Sequence, residues 1–411
     1  MKKNSYFSLV AILFLGLITQ AQSKKWTLEE CVKYALENNI SIKQSELDTQ
    51  TATIDKKSAF GNLLPSINAS TSHSWNIGLN QDITTGLLRN QTTQFTSTGM
   101  NVGIDIYKGL QNQNNLRRAN LALVASKYQL LKMQEDIALN VANAFLQVLF
   151  NKENLKVQLE QLAINEKQLA RSSELVSVGV VPRGDLLDIK ASVAQTRQNV
   201  VAAENTLLIS KLSLSQLLQL KDFENFDVVD VMDINNNATI LAQSPSAIID
   251  KAKESRTELK IAQTNLEIAQ KNLAIAKGAF QPSLQGFYGF NSRISYADVA
   301  VISGGVISTK PANPFWTQFS DNKGQSFGAQ LSIPIFNGLA TKNNVERSKV
   351  NLQKATIALE QQNLNLERTI YTAFTDAKGA LKANESAISS FEARQEAYNY
   401  AKEKFAVGLM N

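Results

Sequence analysis

From Leu110 to Val178 the chain runs 69 residues without a glycine or a proline. These two residue types end or kink helices, so a single helix of about 100 Å is expected at 1.5 Å per residue. Its apolar positions Ile137, Val141, Ala144, Val148, Leu155, Leu162, Leu169 and Val176 recur close to every 3.5 residues, the period of a coiled-coil seam. The positions between them carry Gln, Asn, Ser and Lys, suited to water. Gly179 to Gly184 breaks the pattern and helical periodicity resumes from Asp185 to Leu220, predicting a helical hairpin with its turn at Val180-Val181-Pro182-Arg183. With only 7 prolines and 19 glycines in 411 residues, a many-turned sandwich or a doubly wound enzyme fold is disfavoured.

Composition removes most chemistry. One cysteine (Cys31) excludes an internal disulfide framework and Cys-based zinc sites, and one histidine (His73) excludes His-pair metal sites. No nucleophile motif, phosphate loop or metal-ligand spacing occurs, so no catalytic residue, metal or cofactor is expected and the chain does not read as an enzyme. The net charge of +6 is scattered among acids rather than clustered, which points away from nucleic acid. Lys2-Lys3, the apolar run Phe7–Ile18 and Thr19-Gln20-Ala21 read as a secretory signal over residues 1–21. The apolar run is too short to span a bilayer as a helix, which needs about 20 residues. Cys31 follows Leu28-Glu29-Glu30 within a helical pattern and reads as a small core residue rather than a lipid anchor.

The chain repeats itself. Ile104–Leu110 aligns with Ile333–Leu339 at an offset of 229, which also pairs Asn114-Asn115 with Asn343-Asn344, Arg118 with Arg347, Ala144-Phe145 with Ala373-Phe374 and Val178-Gly179 with Val407-Gly408. Upstream, Ala59-Phe60 and Pro65-Ser66-Ile67 resemble Ala279-Phe280 and Pro282-Ser283-Leu284, with a three-residue length difference. The expected organisation is a first repeat over 22–220 (helix, β-hairpin 66–107, helical hairpin 110–220), a connector over 221–244, and a second repeat over 245–411 (helix, β-hairpin 283–336, long helix 339–407). The hairpin strands alternate. Ile67, Ala69, Thr71, His73, Trp75, Ile77 and Leu79 interleave with Asn, Ser and Gly; Met100, Val102, Ile104 and Ile106 with Asn101, Gly103 and Asp105; Phe327, Ala329, Leu331, Ile333 and Ile335 with Gly328, Gln330, Ser332 and Pro334. The strand Leu284–Asn291 is less regular, because Phe287 falls on the polar parity. Alternating segments of about ten residues are the signature of a transmembrane β-barrel. The expected lipid face comprises Ile67, Trp75, Ile77, Met100, Val102, Ile104, Ile106, Phe327, Leu331, Ile333 and Ile335. Trp75, Tyr107 and Phe336 stand near strand ends, as interfacial aromatics or as ordinary packing, and His73 reads as an interfacial residue. Loops at 81–94 and 292–326 would lie at the end of the sheet remote from the helices.

Four strands cannot close a barrel without leaving backbone groups unpaired in lipid, at several kcal/mol each. Closure therefore demands more than one chain. At the hairpin turn, Gly179 permits a positive φ and Pro182 stops the helix, while Arg183, Asp185 and Asp188 bring charge that ordinary turn and cap chemistry also accommodates.

Several segments carry a family resemblance: Trp26–Asn39 as an opening helix, Phe60 to Ile67 leading into the first strand, Val178-Gly179 to Asp188 as a hairpin tip, and Ile333-Pro334-Ile335-Phe336-Asn337-Gly338 as a strand-to-helix exit. In these the chain resembles the TolC-like outer-membrane efflux protein family over its mature length. The resemblance implies a homotrimer whose four-stranded contributions form one twelve-stranded barrel in the outer membrane, continued by a helical tunnel in the periplasm. It also implies docking to a periplasmic membrane-fusion adaptor and an inner-membrane pump or secretion ATPase. The tip residues Gly179, Val180, Val181, Pro182, Arg183, Asp185, Asp188 and, in the second copy, Gly408 would receive the adaptor. The implied function is the passive exit duct of a tripartite efflux pump or a type I secretion system. A periplasmic structural or adaptor coiled coil without a barrel is the alternative. Adding the offset to Leu220 puts the expected end of the second copy near residue 449, about 38 residues past Asn411, so the returning helix of that copy is expected to lie beyond this chain.

Overall fold

The computed structural model describes residues 25–81, 86–221, 223, 225–230, 243–304 and 306–409. The signal segment 1–21 and Asn235-Asn236-Asn237 of the connector lie outside the described residues. In chain order the elements are β1 (Lys25–Trp26), α1 (Leu28–Asn38), α2 (Ile40–Gly61), β2 (Ser66–Gln81), β3 (Leu88–Lys108), α3 (Gln111–Ser177), α4 (Arg183–Leu218), β4 (Asp227–Val228), α5 (Pro245–Ser255), α6 (Thr257–Gly278), β5 (Ser283–Ser295), β6 (Val299–Ser303), β7 (Val306–Lys310), α7 (Phe315–Asp321), β8 (Gly324–Ser332) and α8 (Ala340–Ala406). They fall into two compact units, Met1–Asp48 with Gln129–Gln243, and Thr49–Tyr128 with Ser244–Asn411.

The first unit holds the apolar core. Thr27 starts α1 with a reciprocal capping box: its Oγ1 accepts from the Glu30 N–H at 3.2 Å, and Glu30 Oε2 accepts from the Thr27 N–H at 3.0 Å, satisfying two otherwise orphaned donors. Cys31, Ala35 and Ile42 then pack with Ile137, Val141, Phe145 and Val148 of α3 and Leu214 and Leu218 of α4. Burial, with Glu30 adding to it, pushes the Cys31 thiol up to about 12, so it is inert packing. Further along α3 the less exposed positions are Asn151, Leu155, Gln158, Leu162, Asn165, Leu169, Ser172 and Val176, spaced alternately four and three apart. Polar residues take every second seat of this seam. Asn165 donates to Thr196 Oγ1 at 2.8 Å and Arg197 pairs with Glu166 at 2.7 Å across to α4; polar seats of this kind fix the register of packed helices.

Part of the segment read as connector is structural. Phe226 and Val228 are buried, and β4 pairs in parallel with β1. Lys152 ties the pair down, reaching Asp227 at 2.8 Å and Asp230 at 2.7 Å; Lys211 reaches Asp227 at 2.9 Å, and Lys25 pairs with Asp230. Hydrogen bonds from Lys152 and then Lys25 hold the Asp230 carboxyl at about 2. Burial pushes Asp227 up, but hydrogen bonds from Lys152 and Lys211 outweigh it and leave that carboxyl below its ordinary value.

The second unit is built on one antiparallel sheet of order β2-β3-β5-β8, with β6 and β7 paired separately. Four expectations are corrected here. The loop expected at 81–94 is shorter, because β3 starts at Leu88 and pairs with β2 up to Gln81. The loop expected at 292–326 carries the end of β5, the β6–β7 hairpin, α7 and the start of β8. β8 ends at Ser332, so Ile333, Pro334, Ile335 and Phe336 lie outside any strand: the last pair is Ser283↔Ser332, β5 offers nothing beyond it, and Pro334 has no N–H to donate. In the first unit, α4 starts at Arg183 rather than Asp185, with Pro182 at φ −65 as its N-cap.

Helix lengths in the two halves coincide. α1 and α2 are 11 and 22 residues with a break at Asn39; α5 and α6 are 11 and 22 with a break at Arg256. This is a constant offset of 217 that also carries Ser66 to Ser283, so the three-residue step near Phe60 is unnecessary. α3 and α8 are both 67 residues at the offset of 229. Each follows a left-handed pair, Gly109-Leu110 at φ 56 and 57 and Gly338-Leu339 at φ 62 and 67. Both end in a Schellman motif, with Val180 N–H donating to Leu175 O and Leu409 N–H to Lys404 O around Gly179 and Gly408.

Candidate functional site: a two-faced sheet and a helical tip

Register places unlike residues on the two faces of the sheet. One row runs Ile67–Val102–Tyr288–Phe327 across all four strands, and the row beside it Ala69–Met100–Phe290–Gln325. Ile77, Trp75 and Leu331 share this face and are exposed, as is Ile106, which with Ile104 packs over Gly286. A bulge between Asp105 and Tyr107 keeps both isoleucines on one side. Ile333 and Ile335, expected on this face, lie beyond the strand end. An apolar row across all four strands, with Ile67, Trp75, Ile77, Phe327 and Leu331 exposed, marks an interaction surface, which can be lipid.

The opposite face runs Asn68–Asn101–Gly289–Ser326 and Ser70–Gly99–Asn291–Gly324. Phe287, the residue out of pattern, sits between Gly103 and Gly328 in the adjoining row, its ring 3.0 Å from where a Gly328 Cβ would be. The ring covers Gly328, the aromatic rescue that a bare sheet position needs. Where this face meets the helices, a polar cavity of about 660 Å³ is lined by Asp105, Lys108, Asn112, Gln285 and Gln330 among others. Asp105 accepts from Gln285 at 2.8 Å, Lys108 at 3.1 Å and Asn112 at 3.2 Å. Alternation along the strand marks Asp105 only as a residue of polar parity. The available signal was that it is the sole acid in these four strands.

His73 Nδ1 lies 2.8 Å from Thr96 Oγ1, its ring is edge-on to Trp75 at 4.2 Å, and Tyr296 Oη reaches Thr96 at 3.0 Å. This polar-aromatic cluster lies toward the loop end of the sheet. Toward the helix end stand the exposed Phe60, Phe280 and Phe336, with Tyr107 bonded to Gln281. Among the described residues no group of His, Cys, Asp and Glu is placed to hold a metal, and no helix is long and apolar enough to cross a membrane.

The helical tip is the turn between α3 and α4. Gly179 takes φ 73 as the Schellman residue, Val180 and Pro182 are exposed and Val181 is half-buried. Arg183, Asp185 and Asp188 are exposed at the start of α4 and form no ion pair among the described residues. Since Pro182 is the N-cap, Asp185 serves the first turn by charge rather than by capping. Gly408 has the same local geometry at the end of α8 but belongs to the other unit.

A family model described as "Outer membrane efflux protein" matches residues 31–219 and 248–411. A probable outer membrane lipoprotein of Salmonella typhimurium, SilC, is 24% identical over 371 residues, covering 88% of this chain and 71% of that protein. Outer membrane protein TolC of Escherichia coli K12 is 21% identical over 403 residues, covering 95% and 77%. Among solved structures, the CmeC outer membrane channel of Campylobacter jejuni shares the fold with a TM-score of 0.77 at 19% identity, covering 93% of this chain and 77% of that one. VceC of Vibrio cholerae does so with 0.73 at 14%, covering 93% and 87%. The chain belongs to the outer membrane efflux protein family.

Proposed function

We propose that this chain is the outer-membrane exit duct of a tripartite efflux pump or type I secretion system, working as a homotrimer with a periplasmic adaptor and an inner-membrane pump or secretion ATPase. The observation that carries the reading is the four-stranded sheet: one face with an apolar row across every strand, one face polar, and both edges, β2 and β8, unpaired among the described residues. Lipid tolerates no open edge, so copies join edge to edge, the apolar face toward lipid and the polar face, with Asp105 and Phe287, toward a wet lumen. Matching helix lengths and left-handed breaks support an internal duplication, each copy supplying one hairpin and one long helix. Residues 179–188 are the docking tip for the adaptor. Movement through the duct is passive, energy coming from the partner. Single-channel recording tests this: the full chain added to a planar bilayer should give stepwise ionic conductance. A protein released from membranes by carbonate and silent in the bilayer would instead be a periplasmic coiled coil.

A further inference from the structure

We propose that the second unit carries a binding site for an anionic glycerophospholipid of the periplasmic leaflet, built where the helices meet the sheet; it rests on the membrane-channel reading above. A groove of about 800 Å³ runs between α2, α3 and α6, and its lining includes Lys56, Lys57, Arg117 and Lys271, with Phe60 and Leu116 as apolar floor and Glu267 as the one acid. None of the four cations forms an ion pair among the described residues, although Lys56 and Lys271 are half-buried. Four cations against one carboxylate leave a net positive groove over an apolar floor, which an anion would neutralise.

Their height is the second observation. Lys56 and Lys57 precede the end of α2 at Gly61, Lys271 precedes the end of α6 at Gly278, and Arg117 follows the start of α3 at Gln111. At 1.5 Å per residue all four stand about 6–10 Å from the ends that meet the sheet. Three helices thus put their charge at one level, just below the exposed Phe60 and Phe280. Aromatics with cations beneath them is the order of groups at a membrane interface.

The groove also faces away from the lumen. Asn115 lines the polar cavity on the sheet's polar face; Arg117, two residues on, stands about 200° round the helix from it. The cations therefore hold the phosphate while Phe60 and Leu116 take the glycerol and the first acyl methylenes.

Spin-labelled lipid in nanodiscs of mixed phosphatidylglycerol and phosphatidylcholine tests the site on the full chain. Each cation is worth about a fivefold preference before salt screening. The assembled protein should immobilise spin-labelled phosphatidylglycerol over phosphatidylcholine. Combined Lys56→Gln, Lys57→Gln, Arg117→Gln and Lys271→Gln should cut that preference about tenfold or more, while Lys354→Gln with Lys378→Gln on exposed α8 leaves it intact. An unchanged preference in the fourfold variant overturns the proposal. So does loss of preference on adding inorganic phosphate, which would assign the cations to a free anion. Asn120→Cys, at the groove, should accept a polar maleimide in the detergent-solubilised oligomer; blockage there but not in the dissociated chain would assign the groove to a second copy and overturn the proposal. If neither lipid label is immobilised, the protein is not in the bilayer and the channel reading falls with the site.

Discussion

Gly278 and Gly61 occupy the same place in the two halves, the last residue of a 22-residue helix, yet alanine should act on them in opposite ways. At Gly278 a Cβ would lie 2.3 Å from the Gly109 carbonyl oxygen and 2.8 Å from Gln111 Cγ. The oxygen is backbone and must retreat by about 1 Å, an overpacking cost of about 1–3 kcal/mol, offset by less than ~1 kcal/mol of helix propensity. Gly278→Ala should therefore destabilise the chain by about 1–2 kcal/mol. At Gly61 nothing lies within 4 Å of the added Cβ, so alanine there is neutral or slightly stabilising for a single chain. Gly338, the counterpart of Gly109, is equally open. If copies close into a ring through the same junction, Gly338 of one copy crosses Gly61 of the next, and Gly61→Ala meets the clash only on assembly. Urea unfolding of the dissociated chain, read beside the SDS-resistant oligomer on unheated gels, separates the two costs. The expected result is a lowered midpoint for Gly278→Ala, and a normal midpoint with a lost or heat-weakened oligomer for Gly61→Ala. Full assembly of Gly61→Ala together with unchanged stability of Gly278→Ala would refute the repeated junction.

Other consequences follow from the faces and the ion cluster. Val102→Arg and Leu331→Arg should impair membrane insertion by roughly 2–4 kcal/mol while Asn101→Arg and Ser332→Arg insert normally; protease protection in proteoliposomes checks this. Asp230, held at about 2 by Lys152 and Lys25, lends stability that is complete above the ordinary carboxylate range and is lost as pH falls toward 2. Tryptophan fluorescence of Trp26, next to this cluster in β1, should shift over that window in the wild type. In Lys152→Met the shift should begin at higher pH, because Asp227 and Asp230 each lose a hydrogen bond.

Much of this molecule was readable from order along the chain, because its long elements are set by local rules. The absence of breakers from Leu110 to Val178 and the 3.5-residue period dictate α3 and its seam, and Gly179 dictates its end. What the sequence conceals depends on partners distant along the chain. The first half of β3, from Leu88 to Thr98, is polar on both faces (Asn90, Thr92, Thr93, Gln94), so no alternation betrays it; only pairing with β2 makes it a strand. Ile333 to Phe336 alternate well but lie beyond the reach of β5. Asp105 has local partners in Lys108 and Asn112, but gains Gln285 only through a β3–β5 register that joins residues 180 apart. Phe226 and Val228, outside any long helical or alternating pattern, gain burial from the core they complete.

Edge-to-edge closure is open to direct test by disulfide trapping. Within the chain Val102 faces Tyr288. Adding 229 to the first and subtracting 217 from the second sets Leu331 opposite Thr71 of the neighbouring copy. Cys31 is fully buried and need not be replaced. The full chain carrying Leu331→Cys and Thr71→Cys, oxidised in the membrane, should run on denaturing gels as a covalent trimer that reductant returns to monomer. The register-shifted pair Leu331→Cys and Ser72→Cys, with its thiols on opposite faces, should remain monomeric. A membrane-inserted chain that stays monomeric with the first pair, or cross-links equally with the second, would contradict closure of the duct by successive copies.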